Sequence, residues 1–456
     1  MFHVEHYLPT PLFHTQITRR MQLYSTNNPA LRTNLREAIF QGLPVDNGLF
    51  MPVEIPVMPA EFSTHLKHLT FQEIALGIAK TFIGEEIPDL ELERIITGAI
   101  TFPAPVIHLD DLTGILELFY GPTLAFKDFG ARFMAQVMAY FNMGETQSLT
   151  ILVATSGDTG GAVAAGFLKT PGIRVVILYP SGQVSPIQEK QLTSLGHNIS
   201  AIEVHGTFDE CQSMVKQAFL DKELRQLFRL SSANSINISR LIPQVMYYWE
   251  GYKQVAYNNK PIVFSVPSGN FGNLTAGLIA RKMGLPVHHF IAATNANDTV
   301  PAYLSSGIFT PRPSIRTISN AMDVGNPSNF ARMLHLCGST WNMMQKHISG
   351  FAFDDIQTRE AMQYVYSTHN YVFDPHGAVG YLAWKKYQET IRNHDAFGIV
   401  LETAHPAKFR EEVETILDTE ISMPSTLARL QAAEKIDVPM QPLYTCFRNW
   451  LLENLQ

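Results

Sequence analysis

Between Leu149 and Asn295 the chain repeats one pattern: a short apolar, β-branched run, a turn, then a helix-forming stretch. "LTILVAT" leads into "SGDTGGAVAAGFLK", "IRVVILYP" into a helix from about Pro186 to Leu195, and "ISAIEVHG" into a helix over 208–227. "PIVFSVPSGNFGNLTAGLIARKMG" and "PVHHFIAATN" continue the series. Strands this apolar, alternating with helices, predict an α/β fold with parallel sheet covered on both faces. Ligands of such sheets sit at the carboxyl ends of the strands. Both glycine-rich turns fall there.

The N-terminal part reads differently. Residues 31–43 suggest a helix, "PVDNGLFMPVEIPVMP" is a Pro/Gly-rich turn region, and 71–98 carry helical periodicity through Ile74, Ile78, Phe82, Leu92, Ile95 and Ile96. A mostly helical unit is expected, ending at the Pro103–Pro105 break. The first twenty residues lack the apolar run of a secretory signal. They are expected to be a disordered extension, with Met21 as an alternative start of translation.

Composition narrows the function. The 456 residues are 46% hydrophobic and 16% charged, enough for two or three domains. A net charge of -7 argues against a nucleic-acid partner. No apolar run reaches the length of a membrane span. Cys211, Cys337 and Cys446 are far apart and form no CxxC pair, so neither a disulfide framework nor a metal site is expected, and a cytoplasmic location is.

Several short stretches carry chemistry. In "GPTLAFKDFG", Lys127 lies between Phe126 and Phe129. It either snorkels to water or is held in a pocket to react with a carbonyl cofactor. "TSGDTGG" (155–161) is either a plain βα turn or an anion cradle, with Ser156 and Thr159 offering hydroxyls at a helix N-terminus. "PSGNFGN" (267–273) presents Ser268, Asn270 and Asn273 among glycines; it lacks the Walker lysine and the GxGxxG spacing. In "SSANSINISR" (231–240), Arg240 is placed to grip phosphate or carboxylate, unless the Asn and Ser residues merely cap a helix. "LETAHPAKF" (401–409) carries Thr403, His405 and Lys408 at a strand end, with Pro406 starting a helix. One lysine in an aromatic setting, two anion cradles and no metal motif together fit pyridoxal 5'-phosphate with an anionic substrate.

The segments "LELFYGPTLAFKDFGARF", "TSGDTGGAVAAGF", "SANSINISRLIPQ", "VPSGNFGNLTAG", "NAMDVGNPSNF", "FDPHGAVGYLAW" and "ETAHPAKF" resemble the threonine synthase family, within the fold type II pyridoxal-phosphate enzymes. The resemblance runs from about residue 21 to 450. It implies a tryptophan synthase β-like fold: two open, twisted, mainly parallel sheets with flanking helices, plus the helical N-terminal domain. The implied units are 21–104, a large cofactor-binding domain of 105–145 and 236–456, and a smaller mobile domain of 146–235.

By the same resemblance Lys127 is the Schiff-base lysine. Ser268, Gly269, Asn270, Phe271, Gly272 and Asn273 hold the cofactor phosphate, and Thr403 meets the pyridine nitrogen. Thr155, Ser156, Asp158 and Thr159 meet the substrate carboxylate and the cofactor's phenolic oxygen. Asn234, Ser235, Asn237 and Arg240 meet the substrate phosphate. The implied reaction turns O-phospho-L-homoserine and water into L-threonine and phosphate, in a monomer or homodimer.

Two departures stand out. Asn27-Asn28 replaces an Arg-Gly common in the family, and Asp46-Asn47-Gly48 replaces Asp-Gly-Gly. Asp128 is open between orienting the lysine and capping a helix. Two rivals also stay open: a phospholyase giving 2-oxobutyrate, and a non-catalytic protein that binds a phosphorylated metabolite. A serine or threonine dehydratase does not need the 231–240 cluster.

Overall fold

The computed structural model describes residues 20–390 and 395–455, so the expectation for the extension before residue 20 lies outside the described residues. Its strands, in chain order, are β1 Gln22–Ser25, β2 Arg32–Asn34, β3 Phe50–Pro52, β4 Val106–Asp110, β5 Thr113–Glu117, β6 Leu149–Ala154 and β7 Ile173–Pro180. There follow β8 Ile199–Val204, β9 Arg229–Ser232, β10 Ile262–Pro267, β11 Val287–Thr294, β12 Ile348–Ala352, β13 Phe397–Glu402 and β14 Val438–Met440.

They make three sheets. One has the order β2-β1-β3, a second β12-β11-β10-β13-β5-β4, and a third β14-β8-β7-β6-β9. The third is parallel throughout, and the second is parallel except for the antiparallel edge pair β4–β5. Strands β6, β10 and β13 are buried along their whole length, which their unbroken apolar runs required.

Local chemistry revises several element boundaries. Residues 32–34 pair with β1, and the helix begins only at Leu35, where Asn34 caps it through the Glu37 N–H. The 71–98 stretch is two helices. Thr70 and Glu73 form a capping box for Phe71–Ile83, Gly84 ends it at φ +58°, and Pro88 precedes Asp89–Ala99. The 208–227 stretch also splits, because Asp221 caps a second helix, Lys222–Leu227. At Pro406 only a short 3-10 turn forms before the helix Arg410–Leu417.

The tail departs from the expected 236–456 unit. Strand β14 pairs in parallel with β8, and Phe447 and Leu451 of the final helix pack with Cys211 and Met214. The physical cause is an open β8 edge and an uncovered apolar helix face, both of which the tail closes. Among the described residues no helix is long and apolar enough to cross a membrane.

Candidate active site

The carboxyl ends of β5, β6, β10 and β13 all lead into residues singled out in the sequence. Lys127 opens the helix Lys127–Phe141. The turn before it is tied to the end of β13: Ala125 bridges Ala404, and the Phe126 N–H donates to the Thr403 carbonyl at 2.8 Å. Asp128 folds that turn back, its carboxylate accepting the Thr123 N–H at 2.8 Å and the Thr123 hydroxyl at 2.7 Å. It therefore shapes the loop that carries the lysine. Leu124 is left at φ +56°, a strained conformation for a side-chain-bearing residue.

Lys127 is half-buried, and its amine makes no hydrogen bond or ion pair among the described residues. Its nearest aromatic contact is the Phe126 ring, 5.6 Å from Nζ to the centroid. Burial pulls its pKa down to about 8; Asp158 opposes this, while the Lys408 and Arg240 cations add to it. A neutral amine is a nucleophile and a base, which an ordinary surface lysine is not.

Two sets of backbone N–H groups face the same region. At the start of the helix Gly272–Lys282, the N–H groups of Gly269, Asn270, Phe271 and Gly272 have no acceptor among the described residues. The Ser268, Asn270 and Asn273 side chains build this loop: Ser268 donates to Asn273, Asn273 to the Pro267 carbonyl, and Asn270 to Ser235 at 2.7 Å. Phe271 sits at φ +57°, and a Cβ on Gly269 would lie 2.8 Å from Met322 Cα. At the start of Asp158–Phe167, the N–H groups of Ser156, Asp158 and Thr159 are equally without an acceptor. Each is a helix N-terminus suited to an anion.

Some of these polar groups are engaged by the protein itself, and others are left free among the described residues. The Thr155 hydroxyl accepts from Gly157 and Gly160, and the Asn237 amide donates to the Ile39 and Ser232 carbonyls. Asn234 donates to the Ala154 carbonyl. Ser156, Thr159 and Thr403 keep hydroxyls without a hydrogen bond among the described residues. Arg240 is 3% exposed; Nη1 donates to the Ala233 carbonyl at 2.5 Å, and Nε has no hydrogen-bond partner among the described residues. Asp158 ion-pairs with Lys408 at 2.6 Å and is held well below the usual carboxylate range by the Lys408 and Lys127 cations, against its burial.

Four residues had been given no role in the site. Lys408 stands in the quoted "ETAHPAKF" string, which was its signal. Arg332, fully buried, donates to the carbonyls of Phe50, Ser235 and Ile236 and to the Asn329 side chain, fixing the Ser235 corner. Asp374 accepts from His376 Nδ1 at 2.7 Å and from the Ala404 N–H at 3.1 Å, and His376 Nε2 accepts from Ala321. Asp374 and His376 thus join the Thr403 end of the site to the Ala321 backbone under Gly269. Away from the site, Glu189, Glu203 and Asp437 surround the Lys435 ammonium at 2.9, 2.8 and 2.9 Å.

A cleft of about 1120 Å³ opens beside this constellation, with Ser156, Lys408, Asn320, Asp323, Arg316 and Arg410 on its wall. Comparison with known proteins identifies the family. Residues 22–100 match the model "Threonine synthase N terminus", 101–402 "Pyridoxal-phosphate dependent enzyme", and 377–441 "Threonine synthase, C-terminal". The threonine synthase of Serratia marcescens is 46% identical, over 90% of this chain and 94% of its own length. The chain belongs to the threonine synthase family. The crystal structure of threonine synthase from Escherichia coli superimposes with a TM-score of 0.89 at 43% identity, covering 96% of this chain and all of that one. A pyridoxal-phosphate-bound threonine synthase structure from Brucella melitensis gives 0.88 at 33% identity, over 95% and 99%.

The fold type II architecture and threonine synthase activity follow from this membership, and pyridoxal phosphate is the cofactor. The residues present fit that cofactor: an unpaired lysine amine, a loop with four unengaged N–H groups, and a free hydroxyl at Thr403.

Proposed function

We propose that this chain acts on O-phospho-L-homoserine and water, releasing L-threonine and phosphate, with Lys127 as the group that holds the cofactor and moves protons. The observation that carries this reading is the Lys127 amine itself: partly buried, unpaired, and drawn toward its neutral form. The unengaged N–H groups of Gly269 to Gly272, with the Ser268 loop, would hold the cofactor phosphate, and the Thr403 hydroxyl, just past the end of β13, would meet its ring nitrogen. When bound, pyridoxal phosphate supplies an aldehyde that joins an amino group and a ring that withdraws electrons from the neighbouring carbon.

The chain's own groups do the rest. Released Lys127 Nζ takes the substrate's Cα proton, which its lowered basicity permits near neutral pH. The N–H groups and hydroxyls of Ser156 and Thr159 bind and orient the substrate carboxylate. Arg240, beside Ser235 and Asn234 in the chain, faces the substrate phosphate and stabilises its charge as it departs from Cγ. A Cβ proton is lost as phosphate leaves Cγ; the oxygen of water then bonds to Cβ, and protons returned to Cγ and Cα complete the methyl group and Cα–H of threonine. Every one of these groups comes from a single chain, which fits a monomer or a homodimer acting on a small-molecule substrate; a cytoplasmic location is part of the same reading.

The test is the product mixture from purified protein and O-phospho-L-homoserine. L-threonine with phosphate supports the reading. Phosphate with 2-oxobutyrate selects phospholyase chemistry, and no turnover in a protein that binds no pyridoxal phosphate leaves a metabolite-binding role.

A further inference from the structure

Lys408 and Asp158 meet at 2.6 Å with side-chain exposures of 0% and 4%. A buried ion pair adds little stability over well-packed apolar side chains, because both ions lose their hydration. Its place needs another explanation. Lys408 comes from the turn after β13 and Asp158 from the first residue of the helix after β6, so the pair joins the two large sheets' site-bearing ends. Lys408 Nζ also donates to the Thr123 carbonyl at 2.8 Å, in the loop that leads to Lys127. From the other side, Gln188 Nε2 donates to the same Asp158 oxygen at 2.9 Å, and Gln188 is itself held in a capping box by Ser185. Ser185 closes the ring by donating to the Lys408 carbonyl at 3.1 Å.

The charged groups facing Lys127 are Asp158, Lys408 and Arg240. Lys408 additionally faces Asp128 and His405. Among the described residues Asp158 is the carboxylate whose charge acts on Lys127, and Lys408 and Gln188 engage it.

We propose that Lys408 is a positioning residue for Lys127: it holds the Asp158 carboxylate so that the reactive amine is left without a counter-ion. The inference rests on the reading of Lys127 as the cofactor-bearing lysine. Without Lys408, Asp158 turns its charge to Lys127 and keeps it an ammonium, which neither attacks an aldehyde nor accepts a proton. The loss of Lys408's own repulsion acts in the same direction.

The experiment follows capture of added pyridoxal phosphate by full-length apoprotein, through the rise of visible absorbance, across neutral and alkaline pH. The cofactor's own ionisations are common to all variants, so only the protein's contribution differs. Lys408→Met is expected to raise the midpoint pH of capture by about one unit or more. Adding Asp158→Asn to it returns the midpoint toward the unmodified protein, and Asp158→Asn alone lowers it. A merely structural role would change thermal stability and leave the midpoint in place; that result, in a folded Lys408→Met, overturns the proposal. Should Lys408→Met not fold, an unmoved midpoint in Asp158→Asn overturns it equally. Absorbance that develops unchanged in Lys127→Ala instead overturns the assignment of Lys127, and the inference with it.

Discussion

The N–H of Phe126 donates to the carbonyl of Thr403 at 2.8 Å, so the residue before Lys127, proposed to bear the cofactor, is tied to the residue proposed for the cofactor's ring nitrogen. Two distant parts of the chain are held in one backbone register, which sets the distance between the two chemical contacts. A flexible link there would let the aldehyde and ring ends of the site drift independently.

Lys127→Ala is expected to fold normally, since the Lys127 amine makes no hydrogen bond or ion pair among the described residues. Its stability should change by no more than about 1 kcal/mol. It should lose the cofactor's visible absorbance and threonine formation together. Retained activity would place the catalytic group elsewhere.

Arg240→Ala is expected to raise KM for the phosphorylated substrate steeply. A buried guanidinium remains charged even though burial lowers its pKa to about 10. Losing such a partner costs about 2–5 kcal/mol of binding. Arg240→Lys should not restore KM, because a point charge lacks the planar fork. Steady-state kinetics decide this, and an unchanged KM would move the phosphate site.

Gly269→Ala tests the cofactor loop. The added Cβ lies 2.8 Å from Met322 Cα and 2.9 Å from the Ala321 carbonyl, both backbone atoms, so the loop itself must move. Pyridoxal phosphate should bind about tenfold more weakly or worse, equivalent to about 1.4 kcal/mol. Titration of apoprotein with cofactor measures it.

Arg332→Met removes donors to three backbone carbonyls and the Asn329 side chain at once. Leaving buried acceptors unpaired costs about 1–3 kcal/mol each. A clear fall in melting temperature is expected, together with weaker substrate binding as Ser235 loses its support. Normal stability would show that water replaces the guanidinium.

His289 is expected to make the protein acid-sensitive. It is buried against Tyr387, with its Nε2 on the Ser349 hydroxyl at 2.9 Å, and burial first, then nearby cations, push its pKa down to about 4. In the unfolded chain it takes up a proton near pH 6.5. Its contribution is therefore complete above that pH and lost as pH falls toward the folded value, up to about 3 kcal/mol. Urea midpoints across mildly acid pH should fall less steeply in His289→Gln than in the unmodified protein.

Much of this was legible locally. The apolar strands, the glycine turns and the lysine between Phe126 and Phe129 are each properties of a few adjacent residues, and the sheets formed where the pattern placed them. What adjacency does not reveal is which polar groups face a ligand. Thr155, Asn237 and Asn273 have the residue types of a binding site, yet their hydrogen bonds go to the turns that shape it. The break at Gly84–Glu86 holds no buried residue, and Asp221 starts a second helix by capping it through its own side chain, so the apolar residues on either side do not mark where one helix ends.

The sequence by itself determined the α/β class and, through its family resemblance, pointed to pyridoxal-phosphate chemistry and to Lys127, because strand patterning, turn composition and motifs are short-range features of the chain. Only the tertiary structure decided that Asp158 belongs to Lys408, that Asp374 and His376 link the two ends of the site, and that the tail from Val438 completes the sheet holding β6. These are contacts between groups far apart in the chain. Their energies depend on burial and exact proximity, which exist only once the sheets have packed.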